Sequence, residues 1–233
     1  MCGLFGVYNS DNASELTFFG LYALQHRGEE SCGITSFDNN KFYTYKRMGL
    51  VGSVIDREVL KKLPGRQAIG HVRYSTTGSS IQRNIQPFFM VTQKKGGVAL
   101  AHNGNLTNSI ELRTRLENKG TVFYTTSDSE IILHLMMQSK KERLKEMIFS
   151  AVRRIRGAFS LIIMNREGIA GVRDPNGFRP LSIGRMGGAY FLASETCAFD
   201  IIGANYLREV EPGEIVIIDK KGLHSYKLSL IHI

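Results

Sequence analysis

The sequence predicts a single α+β domain, and three observations carry that prediction. From residue 158 to 227 nearly every segment is a short apolar run bounded by turn residues, the pattern of antiparallel strands. The helical periodicities fall instead into two clusters, one near the N-terminus and one between about residues 107 and 155. Helices and strands do not alternate as βαβ units would. The chain has 233 residues, 42% of them hydrophobic, which is enough for a substantial core. No linker or internal repeat divides it, so residues 1–233 read as one domain.

The opening run favours a buried strand through Leu4, Phe5, Val7 and Tyr8, with Gly3 and Gly6 permitting close backbone approach. Asp11, Asn12 or Ser14 can cap a helix to about Gln25, which places Leu16, Phe19, Ala23 and Leu24 on one face. That helix stops at His26-Arg27-Gly28. Strands follow at 32–37 and 41–46, joined by Asp38-Asn39-Asn40, and a short helix begins at Asp56 and ends near Leu63. Strand 67–71 delivers Arg73 and Tyr74 into a loop, and strand 97–101 ends at His102-Asn103-Gly104-Asn105. Thr107 or Asn108 caps a helix to about Asn118, on which Glu111 and Arg115 form an i,i+4 pair. The loop 126–130 caps the next helix. Leu144, Met147, Ile148, Ala151, Val152 and Ile155 then mark the clearest helical stripe of the chain. Beyond it, strands are expected at 159–164, 168–173, 181–183, 189–193, 214–219 and 223–227, with a short helix near 196–202.

Composition narrows the function. No apolar run approaches the ~18–20 residues that span a bilayer, and no basic segment followed by an apolar one marks a secretory signal, so a soluble cytoplasmic protein is expected. The three cysteines, Cys2, Cys32 and Cys197, show no C-x-x-C spacing, which argues against a disulfide framework or a zinc site. Cys32 reads as core. The net charge of +9 raises the case for an anionic partner, but the positive residues are scattered and no nucleic-acid motif accompanies them. Nucleic acid is therefore not an expected partner.

Five motifs carry chemistry. Loss of Met1 would leave Cys2 with a free α-amine, so that base and nucleophile share one Cα. An amine titrating at ~7.7–8.0 beside a thiol at ~8.5 can take the thiol proton near neutral pH. Asn103-Gly104 offers a side-chain NH₂ and a backbone N–H to a developing oxyanion, although Asn-Gly is also a strong hairpin signal. Arg73 can grip a carboxylate through two parallel hydrogen bonds, and Asp128 can hold an ammonium or cap its helix. Together those two would recognise both ends of an α-amino acid; with a carboxamide reaching Cys2, the substrate is glutamine. Arg27 can lower the thiol pKa or close its helix.

The segments Met1–Gly6, Leu24–Gly28, Gly70–Thr76, Ala101–Asn105 and Thr126–Glu130 resemble the class II glutamine amidotransferases of the N-terminal-nucleophile hydrolase superfamily. The later segments 173–181, 193–200 and 208–214 resemble the branch of that family that uses phosphoribosyl pyrophosphate in purine synthesis. The resemblance implies a four-layer αββα sandwich of two antiparallel sheets. It makes Cys2 the nucleophile and Asn103 with Gly104 the oxyanion hole. Arg73 and Asp128 become the glutamine clamp, with Thr76, Gly28 and Arg27 lining the pocket. It also implies a separate phosphoribosyltransferase domain, whose acidic phosphoribosyl-binding signature this sequence does not contain. Mg²⁺, and a [4Fe–4S] cluster where one exists, would go with that domain, so no cofactor is expected in this chain. A homo-oligomeric full-length enzyme is implied as well. Glu29-Glu30 departs from the pattern, placing an acid where relatives often carry Gln. Another branch of the family and a non-catalytic glutamine-binding module are the alternatives.

Overall fold

The computed structural model describes residues 1–74 and 81–228. The chain opens with β1 (Gly3–Tyr8) and α1 (Ala13–Ala23), then a 3-10 turn at Gln25–Arg27. A hairpin, β2 (Ser31–Asp38) and β3 (Lys41–Met48), precedes two short helices, α2 (Val51–Val54) and α3 (Arg57–Lys61). Next come β4 (Gln67–Arg73), β5 (Phe88–Thr92), β6 (Gly96–Leu106), and the helices α4 (Ser109–Glu117), α5 (Ser129–Gln138) and α6 (Leu144–Val152). The last third is β7 (Gly157–Asn165), β8 (Gly168–Arg173), β9 (Ser182–Met186), β10 (Ala189–Ala193), α7 (Cys197–Asp200), β11 (Asn205–Glu209), β12 (Glu214–Asp219) and β13 (Gly222–Lys227).

The strands form two antiparallel sheets, β11-β9-β10-β1-β4-β2-β3 and β13-β12-β8-β7-β6-β5. Period-2 alternation divides each strand between two cores. From β1, Leu4 joins Ile69, Ala101, Ile162, Leu192 and Val216 in the core between the sheets. Phe5 and Val7 point the other way, into a core with Leu21 of α1 and Phe199 of α7. On the outer face of the second sheet, Leu100, Leu161 and Val172 pack against Leu112, Ile132, Leu135, Met147 and Ile148 of α4, α5 and α6. The order is therefore helix, sheet, sheet, helix, the layering that the family resemblance implies.

Differences from the expected elements have physical causes. β5, β11 and α2 were not expected: β11 is largely exposed and lacks the apolar alternation that marks a strand, and α2 is one turn long. Helix capping also differs. Asn12 and Asn108 stand at the N-cap positions without capping through their side chains; Ser14 Oγ donates to the Leu63 carbonyl instead (2.5 Å), and Asn108 bonds the backbone at Arg154 and Arg156. Asp56 does cap, accepting from Val59 N–H at 2.8 Å.

β6 does not stop at Ala101. It runs through His102-Asn103-Gly104-Asn105 to Leu106, paired with β7 throughout. Gly104 makes this possible, because its φ of +156° brings it so close to β7 that a Cβ would lie 2.0 Å from the Ala158 carbonyl oxygen. Asn103-Gly104 is therefore a strand segment and not a hairpin turn.

Candidate functional site

β1 is central in its sheet, with β4 on one side and β10 on the other, and Gly3 stands opposite Val72. The chain start is thereby held beside Arg73, at the end of β4. Cys2, Arg73, Tyr74, Gln86, His102, Gly104, Ser127, Asp128 and Ser129 line one cleft. The sheets thus gather in one place residues more than 120 positions apart.

Asn103 meets Cys2 directly. Its side chain is 2% exposed, and its Oδ1 accepts from the Cys2 nitrogen at 3.2 Å. Its Nδ2, also buried, has no hydrogen-bond partner among the described residues. A buried amide left half-satisfied costs about 1–3 kcal/mol, so the spare donor marks a place where an acceptor is meant to bind. After loss of Met1 the nitrogen at 3.2 Å would be the α-amine itself.

Strand alternation orients the neighbouring N–H of Gly104. Phe159 directs both backbone groups toward Asp174: its N–H donates to Asp174 Oδ2 (3.2 Å), and its carbonyl accepts from Asp174 N–H (2.9 Å). Gly104, opposite Phe159, is therefore in a pair that exchanges no hydrogen bonds, and its N–H points to the other edge of β6. The His102 and Leu106 N–H groups share that edge, taken by Gln86 Oε1 (2.7 Å) and Asp128 Oδ2 (2.8 Å). β5 pairs β6 only as far as Leu100, so among the described residues no strand covers the edge at Gly104.

The two residues expected to clamp glutamine are buried. Arg73 is 5% exposed and its Nη1 donates to Glu30 Oε1 at 2.9 Å. Glu30 thus holds the guanidinium in place. Asp128 occupies the N-cap position of α5 with helical torsions and makes no capping bond. Its carboxylate reaches Leu106 N–H and lies 3.8 Å from His102 Nδ1, so the capping alternative does not hold. Gly28 is pressed against β4, where a Cβ would sit 2.5 Å from the Arg73 carbonyl carbon, so only glycine fits. Arg27 is 6% exposed; its Nε donates to the Cys2 carbonyl at 2.9 Å and its Nη1 to Glu195. That is more than closing a helix. Thr76 lies outside the described residues.

Opposing electrostatic effects meet at the chain start. Burial pushes the Cys2 thiol up, and a backbone hydrogen bond at Tyr74 and the positive charges of the amine, Arg73 and Arg27 pull it only part of the way back. Burial lowers the pKa of the Met1 amine; Cys2 opposes this, and Arg27 and Arg179 lower it further. His102, fully enclosed, is kept neutral by burial against the pull of Asp128. Cys32 is core as expected, its thiol pushed by burial to about 12.

Several contributors were not singled out from the sequence. Ser129 Oγ lies 2.8 Å from His102 Nδ1 and accepts from Gln86 Nε2 at 3.3 Å, so it ties α5 to β6. Asn84 holds the loop before α5 through Thr126 (2.8 and 3.1 Å). Asp174 accepts from the N–H groups of Phe159, Asn176 and Phe178. Isolated polar letters in loops carry no periodicity, and only the fold shows what they bind.

Comparison with known proteins agrees with this geometry. Residues 71–200 match the model of a glutamine amidotransferase domain. The chain is 46% identical to the amidophosphoribosyltransferase of Bacillus subtilis over 98% of its own length and 48% of that protein's. The solved glutamine phosphoribosylpyrophosphate amidotransferase of B. subtilis, complexed with ADP and GMP, superposes with a TM-score of 0.93 at 46% identity, across 98% of this chain and 50% of that one. A class-II glutamine aminotransferase domain protein from Silicibacter pomeroyi shares the fold alone, at 14% identity and a TM-score of 0.67. The chain spans about half the length of the curated relatives it matches. No helix among the described residues is long and apolar enough to cross a membrane. The chain belongs to the glutamine amidotransferase family.

Proposed function

We propose that this chain is the glutamine-hydrolysing half of an amidophosphoribosyltransferase, releasing ammonia from L-glutamine through a thioester on Cys2. The observation that carries the reading is Asn103, with one end on the Cys2 nitrogen and an unpartnered buried NH₂ at the other. A non-catalytic glutamine-binding module would need neither a nucleophile nor a spare donor beside it.

In the proposed reaction Arg73 holds the α-carboxylate of glutamine and Asp128 its ammonium. The neutral α-amine of Cys2 takes the thiol proton. The thiolate adds to the side-chain carbonyl carbon, and the oxygen becomes an anion held by Asn103 Nδ2 and Gly104 N–H. The tetrahedral adduct expels nitrogen, which leaves as ammonia with the proton carried by the amine. Water, activated by the same amine, hydrolyses the thioester to glutamate and regenerates the thiol. The ammonia would then pass to phosphoribosyl pyrophosphate in a second, Mg²⁺-binding domain, as part of purine synthesis in the cytoplasm. A [4Fe–4S] cluster, where one exists, and homo-oligomeric assembly belong to that full-length enzyme.

Intact mass before and after treatment with the chloroketone analogue of glutamine tests this. Loss of Met1 and a single adduct on Cys2 are expected, with no ammonia release from a Cys2→Ala variant that still binds glutamine. Substantial turnover by that variant would refute the nucleophile.

A further inference from the structure

We propose that Glu195 is a positioning residue for the nucleophile: its carboxylate fixes Arg27 against the Cys2 carbonyl and balances the guanidinium charge beside the thiol and amine. This rests on the proposed glutaminase reading for its catalytic consequence, but not for its geometry.

The segment Ser194–Glu195 lies more than 190 residues from the chain start and grips it twice. Ser194 Oγ accepts from Leu4 N–H at 2.9 Å, and Ser194 N–H donates to the Leu4 carbonyl at 3.0 Å, which extends the β1–β10 pairing to the residue next to Gly3. Glu195 then continues the contact through Arg27. One carboxylate oxygen takes Arg27 Nη1, while Arg27 Nε reaches the Cys2 carbonyl. The other oxygen lies 2.9 Å from His26 Nε2 and 3.8 Å from Cys197 Sγ. Arg27 has little freedom to find another acid: it is 6% exposed, and its Nη2 has no partner among the described residues.

Charge gives the arrangement its purpose. Three guanidinium groups, those of Arg27, Arg73 and Arg179, act on the thiol or the amine at the chain start. Glu195 pairs with the first and Glu30 with the second, while Arg179 donates to Met1 Sδ. Hydrogen bonds from Arg27 and His26 keep Glu195 ionised against its partial burial. Without the Glu195 charge, Arg27 would act on the nucleophile unbalanced, favouring the thiolate and the neutral amine at lower pH. Without its oxygens as well, Arg27 would lose its anchor and the Cys2 carbonyl its fixed donor.

The test is the pH dependence of iodoacetamide alkylation at Cys2, mapped by fragmentation, in the full chain and its Glu195→Gln variant. Gln keeps an oxygen for Arg27 but removes the charge. Its alkylation midpoint should move to lower pH by roughly 0.5–1 unit, and by as much in a His26→Gln background. A midpoint that coincides with that of the unaltered chain would overturn the charge role. Glutamine turnover supplies the second readout: Glu195→Ala should lower kcat about tenfold with KM within about twofold, and Glu195→Gln should recover most of that loss. A kcat loss that Gln does not recover, or one confined to KM, would overturn the positioning role. The alkylation readout needs no glutamine turnover. A chain that releases no ammonia thus counts against the proposed function, while the midpoint still decides the role of Glu195.

Discussion

The two ends of Asn103 can be separated by experiment. Asn103→Ala removes the NH₂ aimed at the oxyanion and the oxygen on the Cys2 nitrogen. Loss of one oxyanion donor costs ~10²–10³ in kcat, or about 2.7–4 kcal/mol of transition-state stabilisation. The lost bond to nitrogen is between neutral groups and worth only about 1 kcal/mol, so it adds little and moves no pKa far. Asn103→Asp keeps the shape but places a carboxylate 3.2 Å from the nitrogen that becomes the α-amine. A charge-assisted bond of about 1.5–3 kcal/mol would raise the amine's pKa by roughly 1–2 units. The base would then be protonated at neutral pH. Asn103→Asp should accordingly lose about tenfold more than Asn103→Ala at pH 7, with the acidic limb of its kcat profile displaced upward by roughly 1–2 units.

The assay is ammonia release from saturating glutamine between about pH 6 and 9.5. Because neither substitution touches Arg73 or Asp128, KM for glutamine should stay within a few-fold. Two results would refute the reasoning. If Asn103→Ala keeps kcat within about threefold, Nδ2 is not an oxyanion donor. If both variants share one pH profile, the amine beside Oδ1 is not the base.

Two further expectations follow from the same geometry. Arg73→Lys keeps the charge but loses the planar fork that Glu30 and a substrate carboxylate would share, so KM for glutamine should rise at least about tenfold with kcat less affected; an unchanged KM in steady-state turnover would remove Arg73 from the clamp. Glu130 fixes the approach to α5: burial pushes it up, but His134 and the N–H and hydroxyl donors of Tyr124 and Thr125 hold its pKa at about 2, below the ordinary 4.5. Because the folded-state value is depressed, this stabilisation is complete above about pH 4.5 and is lost as pH falls toward 2. Urea melts should show Glu130→Gln about 2–3 kcal/mol less stable at neutral pH, with the difference shrinking below about pH 4.5 and mostly gone near pH 2; a pH-independent difference would contradict the assignment.

How much of this was legible depends on what kind of signal each residue leaves in the sequence. Apolar periodicity is repeated many times over, so the strand containing Phe5 and Val7 and the stripe from Leu144 to Val152 can be read from the order of residues alone. Cys2, Arg73, Asn103 and Asp128 could be picked out as candidates because each carries a group with few other uses near the expected end or start of an element, although Asn103 lies inside β6 and not at its end. Their partners could not be. Glu195, Gln86 and Ser129 act through single hydrogen bonds across sheets, and nothing in the local pattern distinguishes Glu195 from any solvated acid. The error at β6 shows the same limit from the other side. Asn-Gly reads locally as a turn, yet pairing with β7 over nine residues, Val98 to Leu106, outweighs that preference, and the φ of +156° at Gly104 serves close packing against Ala158. It is this continuation that orients the site. Had β6 turned at Gly104, the His102, Gly104 and Leu106 N–H groups would not share one edge, and Asp128 could not be held by Leu106 beside a donor left for the substrate. The least local feature of the chain, strand pairing, therefore decides the geometry on which its most local chemistry depends.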